Sequence, residues 1–219
     1  MSKLTDREIT YYYFAWLSLE KNWASLKQEY PTTSYEAFET SGNKLFDSLM
    51  VSKFELREGV RQGDWIYYKE PKLSHFYAMG ADVAEGVGKD SSACVIWDFT
   101  PIKPEVAAIY KNNRIAPDLF AYEIKAGAEK YQMAFVAPER NNHGHTTISK
   151  LKEIYPPHLI YGDDKGLGWL TTLVSKPKMF YDLNTAVNNE LVDVYSKELA
   201  SEMRRYDREE LDSRRFNSE

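Results

Sequence analysis

Residues 77–97 constrain the fold more than any other part of the chain. An apolar run closes on Asp82, a turn follows with Gly86 and Gly88, and a second apolar run extends from Ala93 to Trp97. This pattern predicts a buried strand, a glycine-rich hairpin turn and a second buried strand. The acid stands where a core strand meets a flexible turn. There it is held rigid by the sheet, partly desolvated and close to backbone N–H groups, a setting that suits a divalent metal or a nucleotide phosphate. An ordinary hairpin with Asp82 and Glu85 facing water fits the same residues, so the reading depends on a partner acid elsewhere.

The 219 residues are 43% hydrophobic, enough for one sizeable core with an appendage. No apolar run approaches membrane-spanning length, and the first residues lack the charged-then-apolar pattern of a signal peptide. A single cysteine, Cys94, lies inside an expected strand and forbids a disulfide framework, which makes a reducing cytoplasm the default compartment. The net charge of −5 excludes a chain that coats nucleic acid by bulk electrostatics. Any such contact must come from a local basic surface, a metal or a partner.

Residues 5–30 are expected to form an amphipathic helical arm. Thr5 is its N-cap, and Tyr12, Trp16, Leu19, Trp23, Leu26 and Tyr30 recur at alternating spacings of four and three until Pro31. A short helix over 32–38 and a connector to about Gly63 follow. Strands are then expected at 76–83, 93–98 and 106–110. Next come a helix opened by Pro117, a strand at 133–137, a helix over 146–154 and a strand at 158–161. Lys176-Pro177 opens a further helix, 191–195 reads as a strand, and Ser196 caps the last helix.

Three hairpin-connected strands followed by helix, strand, helix and strand describe an α/β fold with a mixed sheet. Right-handed crossovers place the fourth strand parallel to the first and give the order 3-2-1-4-5. The carboxyl ends of the first and fourth strands then meet at the switch point where open α/β sheets bind ligands. Asp82 ends the first strand and Glu139 follows the fourth. Neighbouring strands are about 4.8 Å apart, so the two carboxylates can share a hard cation. A pair of such ions about 3.5–4 Å apart serves phosphodiester cleavage. Arg140, Asn142 and His143, at the start of the next helix, and Lys89, on the hairpin, are the candidate phosphate contacts.

With Lys89-Asp90-Ser91-Ser92-Ala93 after the Asp82 strand, and Ala137-Pro138-Glu139-Arg140-Asn141-Asn142-His143-Gly144 after the fourth, the chain resembles the nuclease domain of tailed-phage large terminase subunits. Gly168-Trp169-Leu170-Thr171-Thr172 before Lys176-Pro177 is similar too, as is Leu26-Lys27-Gln28-Glu29-Tyr30-Pro31 with Glu36-Ala37-Phe38. The resemblance implies an RNase H-like sheet flanked by helices, with residues 61–219 as the nuclease domain and 1–60 as a helical linker from the ATPase side. It implies an endonuclease that uses Mg²⁺ or Mn²⁺, at two sites, to cut concatemeric viral DNA in the cytoplasm of an infected bacterium. Asp82 and Glu139 match the family's metal acids, with Asp90 as an occasional ligand. Double-stranded DNA, the terminase ATPase domain, the small subunit and the portal are the implied partners.

Two departures stand out. No Gly-rich Lys-Ser/Thr phosphate loop occurs, so these residues are not the ATP-driven motor. The family also places a third aspartate near a C-terminal helix, whereas this sequence stops at Phe216-Asn217-Ser218-Glu219, as if truncated before that point. Asp207, Asp212 and Glu219 are acids in other surroundings. Weak metal binding and slow cleavage are the expectation.

Two rivals remain. The Asp82 hairpin also looks like the phosphate loop of the actin and sugar-kinase fold, which would make the chain an ATP-binding phosphotransferase, though no second loop of that kind occurs. A non-catalytic RNase H-like docking module is the other. His143 and His145 lack further ligands for a zinc site. Asp163-Asp164 reads as a solvated turn, and Trp169 as a packing residue.

Overall fold

The computed structural model describes residues 5–21, 26, 29–30 and 44–208. The elements are α1 (Asp6–Ser18), α2 (Ser48–Ser52), β1 (Val60–Gln62), β2 (Trp65–Tyr67), β3 (Tyr77–Asp82), β4 (Ser92–Asp98) and β5 (Glu105–Asn112). They continue with α3 (Pro117–Lys130), β6 (Phe135–Pro138), α4 (Gly144–Ile154), β7 (Gly162–Asp163), β8 (Gly166–Leu167), α5 (Ser175–Asn188) and α6 (Lys197–Arg205). The short helix expected over 32–38, Trp23 of the apolar stripe, and the acids Asp212 and Glu219 lie outside the described residues. No helix among the described residues is long and apolar enough to cross a membrane.

The main sheet has the order β1-β2-β5-β4-β3-β6. Its β5-β4-β3-β6 portion is the expected 3-2-1-4 order, with β3 and β4 antiparallel and β3 and β6 parallel. Two corrections apply at the edges. The fifth strand expected at 158–161 is a 3₁₀ turn over Pro157–Leu159 and a single parallel bridge from Ile160 to Val136. At the other edge, the β1–β2 hairpin adds two strands, β1 inside the expected connector and β2 just past its end near Gly63. Gly63, at φ +61°, turns this hairpin, and Trp65 and Tyr67 point inward. The strand expected at 191–195 is likewise one bridge, Glu105 to Asp193.

Alternation along the strands sends two sets of residues to two faces. Tyr77, Met79, Cys94, Ile96, Ala108 and Tyr110 face α3 and α4, whose Phe120, Ile124, Ala128 and Leu151 are fully buried against them. Pro117 at the start of α3 fits there because its missing N–H has no helical partner. Leu45, Phe46, Val51, Val106, Val187, Val194, Ala200 and Met203 form a second core on the opposite face, under α2, α5 and α6. Full burial of such side chains contributes about 1.5–3 kcal/mol each. Leu45, Phe46 and Val51 precede the boundary expected near residue 60, and all three pack in this layer.

At the N-terminus, Thr5 caps α1 in a reciprocal box with Glu8: Thr5 N donates to Glu8 Oε2 at 2.7 Å. The single helix expected over 5–30 is broken. Glu20 and Lys21 both adopt the left-handed region, at φ 53° and 62°, which ends α1 at Ser18. Tyr12, Trp16 and Leu19 of the stripe are half-buried, and Leu26 is buried.

Candidate metal centre

The two acids meet through the backbone. In the parallel β3–β6 pair, Ala81 opposes Pro138, so Asp82 and Glu139 are the next step of the register. Glu139 N donates to Ala81 O at 2.7 Å and extends the ladder by one bond past β6. A second ladder fixes the far side. Trp169 N donates to Pro138 O at 2.7 Å, and Arg140 N donates to Trp169 O at 2.9 Å. Gly80, Asp82, Ala137 and Glu139 share one face of the sheet, and the small residues keep it open beside the acids.

The glycine turn after Asp82 is anchored on both sides. Ala84 N donates to the buried Ser92 Oγ at 3.0 Å, and Gly88 N to Asn113 O at 2.8 Å. At Gly86 (φ +82°) a Cβ would lie 2.4 Å from Ile115 O, so a side chain there would displace the turn. Gly144 is under a tighter constraint. A Cβ there would lie 1.9 Å from Glu139 O, so only glycine lets α4 begin this close to the acid.

Asp82, Glu85, Asp90, Ser91, Glu139, Asn141, Asn142, His143, Thr171, Thr172 and Lys176 line a cleft of about 760 Å³. Burial, then the hydrogen bond and charge of Glu139, push the Asp82 carboxyl up from 3.8 to about 6, against the lowering effect of the Val83 N–H and the Lys176 ammonium. Burial and a like charge at the neighbouring strand end both disfavour the ionised form of a carboxyl, which is why the Asp82 proton is held more tightly. The donor set of the two acids is hard oxygen, and it fits a divalent cation such as Mg²⁺ or Mn²⁺. Among the described residues, no three His, Cys, Asp or Glu side chains converge.

The other sequence candidates divide. Asp90, Asn142 and His143 are exposed and line the cleft with the acids. Lys89 is exposed on the hairpin and is not part of the lining. Arg140 points elsewhere. It is 5% exposed and grips Asp163 with both terminal nitrogens, Nη1 to Oδ1 at 2.8 Å and Nη2 to Oδ2 at 2.9 Å, while Nη1 also donates to Gly166 O. That bidentate pair holds the β7–β8 hairpin, and the Arg140 guanidinium with it lowers the Asp163 carboxyl. The Asp163-Asp164 turn is therefore a partner of Arg140 and more than a solvated loop.

Among the cleft residues that sequence reasoning passed over are Asn141, Thr171 and Lys176. Asn141, beside the chosen Asn142, pairs reciprocally with Thr171: its Nδ2 donates to Thr171 O at 2.7 Å, and its Oδ1 accepts from Thr171 N at 3.0 Å. This ties the loop before α5 to the Glu139 segment. Lys176, identified only as opening a helix, is half-buried in the cleft wall. The signal available was its position just after Thr171 and Thr172.

A family model described as the terminase RNaseH-like domain matches residues 79–188, half of the chain. Among solved structures, the large terminase nuclease of thermophilic phage G20c with bound cobalt is similar at TM-score 0.63 and 20% identity, over 76% of this chain and 82% of that one. The same nuclease with bound magnesium gives 0.60 and 18%, over 75% and 80%. The nuclease domain of Thermus phage P74-26 gives 0.54 and 18%, over 74% and 77%. A comparison with curated proteins finds no match.

Proposed function

This chain belongs to the terminase RNaseH-like domain family, and on that premise we propose that it is a metal-dependent endonuclease domain that cuts concatemeric phage DNA during packaging. The observation that carries the reading is the Asp82–Glu139 pair, two carboxylates on adjacent parallel strand ends with an open cleft before them. Asp82 and Glu139 would hold Mg²⁺ or Mn²⁺, with Asp90 within the same cleft. Related nucleases bind magnesium and cobalt in their solved forms. When bound, such an ion supplies a more acidic water and charge for the phosphate.

The residues of the chain orient the reaction around it. Asp82, ionised above about pH 6, and Glu139 align the attacking water and accept hydrogen bonds from it. A phosphorus–oxygen bond forms from that water as the opposite ester bond breaks in line. Asn142, His143 and Lys89 are exposed toward the approach of a duplex, whereas Arg140 holds the scaffold. Double-stranded DNA is the proposed substrate, in the host cytoplasm, with the ATPase domain, small subunit and portal as proposed partners.

Plasmid cleavage in Mn²⁺ tests this directly. Wild type should nick or cut, and Asp82→Asn and Glu139→Gln should each lower the rate by at least about a hundredfold. Undiminished cleavage by both variants would sink the assignment. A second reading, a non-catalytic module that docks on DNA or the portal, is favoured by the two-acid limit among the described residues. It predicts no cleavage under any divalent ion. The family match favours the nuclease over an ATP-binding phosphotransferase.

A further inference from the structure

We infer that Asn141 is a positioning residue of this site: its side-chain amide stands in for a backbone rung and fixes the Thr171–Thr172 loop against the Glu139 segment, so that the cleft seats a DNA strand in register with the acids. The inference rests on the nuclease reading above. Trp169 joins the Glu139 segment as a parallel strand does, its N–H donating to Pro138 O and its carbonyl accepting from Arg140 N. Two residues further on, the same ladder would bond Thr171 N to Arg140 O and Thr171 O to Asn142 N. The main chain turns away instead. Asn142 is left-handed at φ 46°, and Gly144 N donates to Asn141 O at 2.8 Å, which leads the chain into α4. The Asn141 amide supplies both bonds of that rung: Nδ2 donates to Thr171 O at 2.7 Å, and Oδ1 accepts from Thr171 N at 3.0 Å.

The side chain is specific to this task. A primary amide offers a neutral donor and a neutral acceptor side by side in one plane, whereas a carboxylate would set an oxygen against Thr171 O. What the amide holds leads on into the cleft. Thr172 Oγ1 accepts from Ser175 N at 3.0 Å, and Ser175 Oγ donates to Leu170 O at 3.1 Å, which joins the loop to the first residue of α5. Thr171, Thr172 and Lys176 line the cleft with Asp82 and Glu139. Glu139 is tied separately, through its N–H to Ala81 O. Loss of the amide would therefore loosen the loop beyond Trp169 and leave the acids in place. A phosphodiester displaced by about 1 Å from its attack geometry reacts about a hundredfold more slowly.

The test compares wild type with Asn141→Ala and Asn141→Leu, the second keeping the side-chain volume without either bond. Amide hydrogen exchange is followed by NMR without metal, Mn²⁺ binding by calorimetry, duplex DNA binding in Ca²⁺, and cleavage in Mn²⁺ at saturating DNA, all well below the melting temperature of each variant. Exchange at Thr171 should quicken by at least about tenfold, with the Glu139 and Trp169 amides as protected as in wild type. Mn²⁺ affinity should stay within about twofold, duplex affinity should weaken by about three- to tenfold, and kcat should fall by about ten- to a hundredfold. A residue that only stabilised the fold would leave kcat of the folded protein unchanged. Unchanged Thr171 exchange overturns the inference, as does a kcat within about twofold of wild type, or a loss of Mn²⁺ affinity as large as the loss of kcat. If wild type itself does not cleave, the nuclease reading falls. Duplex affinity then decides: weakened in the variants, it supports the loop as the seat of the strand, and unchanged, it overturns the positioning role as well.

Discussion

Replacing Asp82 by Asn should make the metal-free protein more stable at pH 8. The native carboxyl is raised from 3.8 to about 6 by burial and by Glu139. A carboxyl raised in the native state binds its proton more tightly folded than unfolded. Its favourable contribution is therefore complete below about pH 4, is lost as the pH rises through 6, and leaves the ionised native state penalised above that. The full shift would correspond to about 3 kcal/mol without screening. Asp82 is exposed to cleft solvent, so about 1 kcal/mol is the working figure. For a chain of this length that is a rise in Tm of about 2–4 °C. Thermal melts in EDTA at pH 4.5 and pH 8 should show a gap between variant and wild type that opens with pH. Adding Mn²⁺ should close or reverse the gap, because only wild type gains binding energy. A variant that melts lower than wild type at pH 8 in EDTA, or a gap that ignores pH, would refute the argument.

Three further outcomes follow from the same geometry. Mn²⁺ affinity should fall by up to about tenfold per pH unit below pH 6, as a proton competes for the carboxylate pair, and stay flat above pH 7; calorimetry across that range checks it. Arg140→Ala should lower the midpoint of urea unfolding, through loss of the buried guanidinium and its fork to Asp163. It should also leave the salt slope of DNA binding unchanged, whereas a decrease of about one would place Arg140 on phosphate. Gly144→Ala should push the Glu139 carbonyl aside, destabilising by about 1–3 kcal/mol and weakening Mn²⁺ binding, both readable in one pair of melts with and without the ion.

The acid pair was legible because two local signals and one topological rule sufficed. Asp82 ends an alternating run, Glu139 follows Pro138 after another, and the handedness of crossovers makes those strands neighbours. The family resemblance pointed the same way. What the sequence hid was of two kinds. The β1–β2 hairpin is three residues a side around Gly63-Asp64, too short for its Trp65–Tyr67 alternation to outweigh a connector reading. The break at Glu20 and Lys21 has no glycine or proline to announce it, and helix periodicity runs straight through. The other kind is contact between distant segments. Arg140 and Asp163 are 23 residues apart, and an arginine beside a candidate metal acid reads as a substrate contact until its partner is seen. Lys176 reads as an ordinary helix-opening cation for the same reason, since only the fold brings it into the cleft with Asp82 and Glu139.

The strand ends that carry Asp82 and Glu139 are joined by a main-chain bond, from Glu139 N to Ala81 O. Core truncations on either face should therefore act as a switch on how many molecules are folded, leaving each folded molecule with an undistorted centre. Among such variants, activity would track the folded population. Drift in metal preference or cleavage chemistry would come instead from changes at the acids themselves, at Gly144 against the Glu139 carbonyl, or in the two ladders that flank Glu139.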